Sequence, residues 1–129
     1  LHNFQNAYEK FQKIVSQKQE FEQQGFGDVY LDIVIKRFEF TYEMSWKALK
    51  RYLDFVGIQA QNPRTSFQEA YAQGILKTQD IWLDMIEMRN LTSHIYDENE
   101  VKEILDRVKD YDQAFAQLLE TLKTKVEKA

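Results

Sequence analysis

The scarcity of helix-breaking residues is the feature that most constrains this chain. Its 129 residues include one proline and four glycines. Proline removes a helical hydrogen bond and glycine costs backbone entropy, so long stretches without either residue favour long helices joined by short connections. Hydrophobic residues make up 43% of the chain, which is enough for one proper core. We therefore expect a single domain over residues 1–129.

Apolar residues recur at the three- and four-residue spacing of amphipathic helices in several stretches. Four long helices are predicted over residues 1–24, 28–56 and 79–93 and from residue 97 towards the end of the chain. A short helix is predicted over residues 63–73. Asp28 and Thr78 are the expected N-caps of the second long helix and the third. Pro63 suits the start of the short helix, and Gly74 suits its end. The prediction is an all-α, up-and-down bundle of four long helices plus one short helix.

The composition excludes several kinds of site. There is no cysteine, so the chain has no disulfide, no thiol nucleophile and no cysteine metal ligand. The two histidines, His2 and His94, are far apart in sequence, which argues against a histidine metal site. We expect neither a metal nor a cofactor.

The net charge of −4 and the pI of about 5.2 bear on possible partners. Dedicated nucleic-acid binders are usually basic, so any RNA contact would need a local patch of positive charge. An acidic surface also suits a basic protein partner. No apolar run approaches the roughly 20 residues of a membrane span, and no signal-peptide pattern opens the sequence. A cytoplasmic protein without membrane contact is the expectation.

Candidate functional groups are concentrated in residues 84–97, at the end of an apolar helix. Arg89 can stabilise a phosphoryl charge, and His94 can exchange a proton near neutral pH. Asn90 can orient either group, and Tyr96 offers a hydroxyl as a ligand or acceptor. Residues five apart lie about 140° apart around a helix, so Arg89 and His94 do not share a face of a straight helix. Either the arginine side chain swings round, or a two-fold dimer pools groups from two copies.

A structural role for Arg89 fits the same spacing. Arg89 could pair with Asp84 or Glu87, and His94 could simply end the helix. Arg89 also continues an apolar row that begins at Trp82, and a charged residue in such a row needs a partner. The sequence therefore leaves open a functional cleft, a dimer seam and an ordinary ion pair.

Two glutamates one turn apart in the second helix resemble a catalytic carboxylate pair. We assign Glu43 to an ion pair with Lys47, four residues later. We assign Glu39 to a contact with Arg37 or with solvent. This pair is therefore predicted to have no catalytic role.

Two further charged features have both a functional and a structural interpretation. Arg64 could join Arg89 in a basic spot for phosphate, or it could be an exposed surface arginine. Asp110 and Asp112 match the carboxylate spacing of a nucleotidyltransferase metal pair. Residues two apart point about 200° away from each other on a helix, so we predict that both are surface acids.

The motif formed by Arg89, Asn90, His94 and Tyr96 resembles the signature of the HepT-like branch of the HEPN superfamily. Residues 37–47 resemble the family's long second helix, and residues 62–74 resemble its third segment. The resemblance spans nearly the whole chain. The flanking segments make the resemblance more specific than the short motif alone.

The resemblance implies a helical homodimer that partners a separate minimal nucleotidyltransferase as its substrate-binding subunit, in a toxin–antitoxin-type module. An alternative it implies is a metal-independent ribonuclease toxin. His94 would then act on the ribose 2′-hydroxyl or the leaving group, Arg89 would hold the phosphate, and Asn90 would orient one of them. The nucleotidyltransferase would silence this toxin by adding AMP to Tyr96. A helical interaction module without chemistry is the third possibility.

Overall fold

A computed structural model of the chain describes residues 1–93 and 97–128, with side chains as far as residue 126. Two predicted site residues, His94 and Tyr96, lie outside the described residues. The helices in chain order are α1 His2–Val15, α2 Lys18–Gln23, α3 Gly27–Phe55, α4 Pro63–Ala72, α5 Asp80–Thr92, α6 Glu98–Val101 and α7 Ile104–Lys128. The described residues form no strand, and the all-α prediction is confirmed.

Helix α3 is the centre of the bundle. It is 29 residues long and packs against α1, α2, α4, α5 and α7. The four predicted long helices correspond to α1, α3, α5 and α7, and the predicted short helix corresponds to α4. None of the helices in the described ranges has the length and apolar character needed to cross a membrane.

The middle of the core is aromatic. Phe115 of α7 lies against Phe4 and Phe11 of α1, with ring centroids 6.3 and 5.6 Å away. The same ring meets Phe38 of α3 at 6.4 Å and Trp82 of α5 at 5.7 Å. All five side chains are at most 1% exposed. Phe115 therefore joins the four long helices at one point.

Two predicted long helices are interrupted near one end. The Ser16 hydroxyl donates to the Lys13 carbonyl at 2.6 Å, and this local bond competes with continued helix between α1 and α2. The other break lies between α6 and α7, in the last predicted long helix. Asp97 accepts a hydrogen bond from the Asn99 N–H at 2.8 Å and caps α6. These breaks add the short helices α2 and α6 to the predicted arrangement.

The two predicted N-caps are wrong. Helix α3 begins at Gly27, one residue before Asp28. Asp28 therefore lies in the first turn, where its charge still favours the helix dipole. The N-cap of α5 is Gln79, without a side-chain cap bond, and Thr78 lies one residue further out.

The prediction for the short helix is confirmed at both ends. The Asn62 side chain accepts from the Thr65 N–H at 2.9 Å, and Pro63 takes the first helical position. Gly74 follows the helix with a φ of 74°, which glycine adopts without the penalty of a Cβ. This helix holds Arg64 beside α5.

Candidate functional site at the contact of α3 and α5

Arg89 lies in the last turn of α5, and its side chain reaches α3. Its Nη1 atom lies 3.3 Å from Oε2 of Glu39. The two side chains are 28% and 18% exposed, less than any other ion pair among the described residues. Partial burial reduces the screening of this pair by salt.

The ion pair corrects the sequence-based assignment of Glu39. Glu39 was assigned to Arg37 or to solvent, but its partner is Arg89 on another helix. The alternative pairing of Arg89 with Asp84 or Glu87 is also wrong, because both of those carboxylates have other partners. The prediction that Glu43 pairs with its neighbour four residues later is confirmed at 3.9 Å.

Asp84 is held by α7. Arg107 donates through Nη1 to Oδ1 at 2.9 Å, and the Tyr111 hydroxyl donates to Oδ2 at 2.6 Å. Burial, together with this bond to the carboxylate, raises the pKa of Tyr111. Because both oxygens of Asp84 are engaged, it supports the packing of α5 on α7 rather than Arg89.

Arg64 reaches α5 from α4. Its Nη2 donates to Oε1 of Glu87 at 3.3 Å, in a pair whose side chains are 50% and 66% exposed. Exposed pairs of this kind contribute about 0–1 kcal/mol, so this contact leaves Arg64 able to find another partner. Arg64 is therefore a half-exposed surface arginine beside the end of α5.

Tyr42 of α3 is a buried tyrosine with a perturbed phenol. Burial and then Glu43 raise the pKa of Tyr42 to about 12, and the positive charges of Arg89 and Arg64 oppose that rise. Arg89 pairs with Glu39 of α3 and Arg64 pairs with Glu87 of α5, so each arginine has a glutamate beside it.

Two N–H groups of Arg89 are left without acceptors. Nε and Nη1 are shielded from solvent and have no hydrogen-bond partner among the described residues, although Nη1 is close to Glu39. Buried donors nearly always have an acceptor in folded proteins, and an ordered water molecule is a common one. Asn90, the next residue, is exposed.

Sequence reasoning missed Glu39 of α3 as a member of this site. Spacing along one helix identifies neighbours on that helix only, so it gave no indication that Arg89 of α5 is the partner of Glu39.

Of the two acids in α7, Asp110 and Asp112, one differs from the prediction in its burial. Asp110 is exposed, as predicted. Asp112 is partly buried, with its Oδ1 shielded from solvent, so the prediction that it is a surface acid is wrong. Burial and the nearby Asp112 carboxylate raise the pKa of Tyr8 on α1.

Across residues 1–93 and 97–128, no group of three or more metal-binding side chains occurs.

The fold is similar to solved structures. A Haemophilus influenzae protein, described as the substrate binding domain of a nucleotidyltransferase, matches with a TM-score of 0.80 and 26% identity, over 93% of this chain and 96% of that one. A Thermus thermophilus protein matches with a TM-score of 0.70 and 31% identity, over 87% of this chain and 98% of that one.

Sequence comparison agrees with the structural likeness. A protein named probable ribonuclease HepT, from Haemophilus influenzae, is 31% identical over 103 residues, which are 74% of this chain and 69% of that protein. The sequence model of the family described as nucleotidyltransferase substrate binding protein like matches residues 1–124. The chain therefore belongs to the family of nucleotidyltransferase substrate-binding-like proteins.

Proposed function

We propose that this chain is the helical substrate-binding partner of a separate minimal nucleotidyltransferase. The observation that carries the proposal is the family match over residues 1–124. The similarity to a structure described as the substrate binding domain of a nucleotidyltransferase supports it. The given sequence contains no Gly-Ser motif followed by paired catalytic carboxylates, which fits this division of labour.

The proposal extends to a homodimer acting in a cytoplasmic two-component module of the toxin–antitoxin type. Phe40, on the outer side of α3, is 50% exposed, and it follows Glu39 directly. A second copy that covers this side would bring two Arg89 side chains towards one cleft. It would also bury an aromatic ring that the single chain leaves open, a favourable contribution to association.

Joint production of this chain and a minimal nucleotidyltransferase tests the partnership. We expect the two proteins to co-purify through a tag on either one and to elute together at micromolar concentration. Light scattering of this chain alone should give twice its 15.5 kDa mass if it is a dimer. An unrelated acidic helical bundle with the same tag is the control. Separate elution of the two proteins would contradict the partnership.

A second candidate function is a metal-independent ribonuclease toxin. The guanidinium group of Arg89 favours it, because guanidinium groups suit a phosphate ligand. The relative named probable ribonuclease HepT also supports it. In this function His94 exchanges the proton, Arg89 stabilises the phosphate, Asn90 orients one of these groups, and AMP added to Tyr96 blocks the cleft with negative charge.

Growth after induction of the chain alone tests the ribonuclease function. We expect arrest by the wild type, relief when the nucleotidyltransferase is co-produced, and no arrest by Arg89→Ala or His94→Ala. Loss of one donor to a developing charge lowers a rate by about 100- to 1,000-fold. Arg51→Ala, at an exposed arginine of α3, is the matched control and should still arrest growth. Undiminished arrest by His94→Ala would rule out the assigned chemistry.

A further inference from the structure

An apolar groove lies where the end of α3, the end of α7 and the start of α1 meet. Its cavity measures about 430 Å³, and the side chains that line it include Tyr52, Phe55 and Val126. Phe55 is 72% exposed, more than any other large hydrophobic side chain among the described residues, and Val126 is 54% exposed. Single exposed hydrophobic side chains are common, but a group of them beside a cavity is typical of a surface that binds another molecule.

A second, smaller cavity adjoins the groove at Tyr52. It measures about 150 Å³, and its lining includes Tyr52, Val56, Ile58 and Lys125. The ammonium group of Lys125 lies 5.9 Å from the centre of the Tyr52 ring. The two cavities therefore share an aromatic wall that has a cation beside it.

Positive charge borders the groove, although the whole chain has a net charge of −4. Arg51 lines the larger cavity, and Lys123 and Lys125 lie near the end of α7. Within the described part of the chain, none of these three cations forms an ion pair. Of the nearby carboxylates, Asp54 is already paired with a lysine of its own helix, and Glu120 offsets only one of the three charges. The groove therefore has an excess of positive charge.

This charge discriminates between the partners that could cover the groove. A second copy related by a two-fold axis would bring its own Arg51 and Lys125 against the same residues of the first copy, and like charges in contact oppose binding. A segment with carboxylates would instead form ion pairs around the apolar contact. The groove lies between helices, and the described residues offer no sheet edge, so a helix with an apolar row along one side is the segment that fits it.

We infer that this groove is a docking site for an acidic amphipathic helix of another protein. The apolar row of that helix packs against Tyr52 and Phe55 of α3 and Val126 of α7. Its carboxylates face the cations at the border of the groove, among them Lys125.

The docking surface is separate from the site of Arg89. Arg51 lies twelve residues after Glu39, the partner of Arg89, on the same helix. At the rise of an α-helix this is about 18 Å along the axis. The inference therefore goes beyond the proposed function, and it holds for any protein partner that carries such a helix.

Fluorescence anisotropy with two labelled synthetic peptides tests the inference. Both peptides have leucines at helical spacing along one side, flanked by glutamates in one peptide and by lysines in the other. We expect the glutamate peptide to bind at least about tenfold more tightly, because its charges are opposite to those that border the groove. No binding of the glutamate peptide, or equal binding of both peptides, would overturn the inference.

Two variants locate the binding in the groove. Phe55→Ala should weaken binding of the glutamate peptide at least about fivefold, because it removes an exposed aromatic anchor. Lys125→Glu should weaken binding of the glutamate peptide and strengthen binding of the lysine peptide, a reversal that damage to the fold would not produce. Phe26→Ala and Lys10→Glu, at exposed residues elsewhere on the surface, are the matched controls and should change either affinity by less than about twofold. Unchanged affinities in both groove variants would contradict the assigned surface.

Two further measurements detect a different occupant. If Phe55→Ala lowers the mass of the chain alone in light scattering, the groove is an interface between copies and the inference is wrong. Vesicles of phosphatidylcholine with phosphatidylserine test for a lipid surface. If the wild type binds these vesicles, Lys125→Glu does not, and the glutamate peptide fails to compete, the occupant is a lipid surface and the inference is also wrong.

Discussion

Phe115→Ala is expected to lower the free energy of unfolding by about 3–5 kcal/mol, the range for removing a buried phenylalanine. The ring is fully buried and meets aromatic rings from α1, α3 and α5. Alanine removes the ring and leaves a cavity that three other helices would have to fill. The rigid aromatic neighbours limit that collapse, so we place the effect in the upper part of the range for core substitutions.

Urea denaturation followed by circular dichroism measures this loss. Phe55→Ala is the matched control, because Phe55 is 72% exposed at the end of α3. Its substitution should change the free energy of unfolding by about 0.5 kcal/mol or less. A loss below about 1.5 kcal/mol for Phe115→Ala would contradict the convergence of the four long helices on this ring.

Alkaline pH is expected to destabilise the fold. Burial raises the pKa of Tyr42 to about 12 and raises the pKa of Tyr8, Tyr30 and Tyr111. The unfolded chain therefore loses these protons near pH 10, before the folded chain does. Stability is complete below about pH 10 and falls as the pH rises towards the folded-state values, by up to about 1.4 kcal/mol per pH unit for each tyrosine.

Urea denaturation at several pH values between about 8 and 11, spanning the ordinary tyrosine pKa, measures this dependence. Tyr42→Phe removes one of the titrating groups, so its free energy of unfolding should fall less steeply above about pH 10 than that of the wild type. Tyr71→Phe is the control, because Tyr71 is 47% exposed, and its slope should match the wild type. Identical slopes for Tyr42→Phe and the wild type would show that burial of this phenol does not contribute.

The candidate site was visible in the sequence only in part. Arg89 stood out because it continues an apolar row, and Arg64 was recognised as a possible neighbour. The helix that faces Arg89 was not identifiable, so Glu39 was assigned to solvent or to Arg37.

The starts of the helices show that a local sequence preference locates some helix ends and not others. Pro63 starts α4 as predicted, because the fixed φ of proline acts within one turn. Asp28 and Thr78 are equally good cap residues by type, but α3 and α5 begin elsewhere. The preference for a cap is about 1 kcal/mol, so packing of the whole helix can shift its start by one or two residues.

The sequence by itself determined the helical class and the approximate ranges of the four long helices and the short one, because spacing of three and four residues acts within a helix. Only the tertiary structure decided which charges meet. Glu39 lies on α3 and Arg89 on α5, so their contact depends on how these helices pack. Two carboxylates of the same helix, Asp84 and Glu87, were considered as partners of Arg89, and the packing of α5 on α3 selected a carboxylate that is distant in sequence.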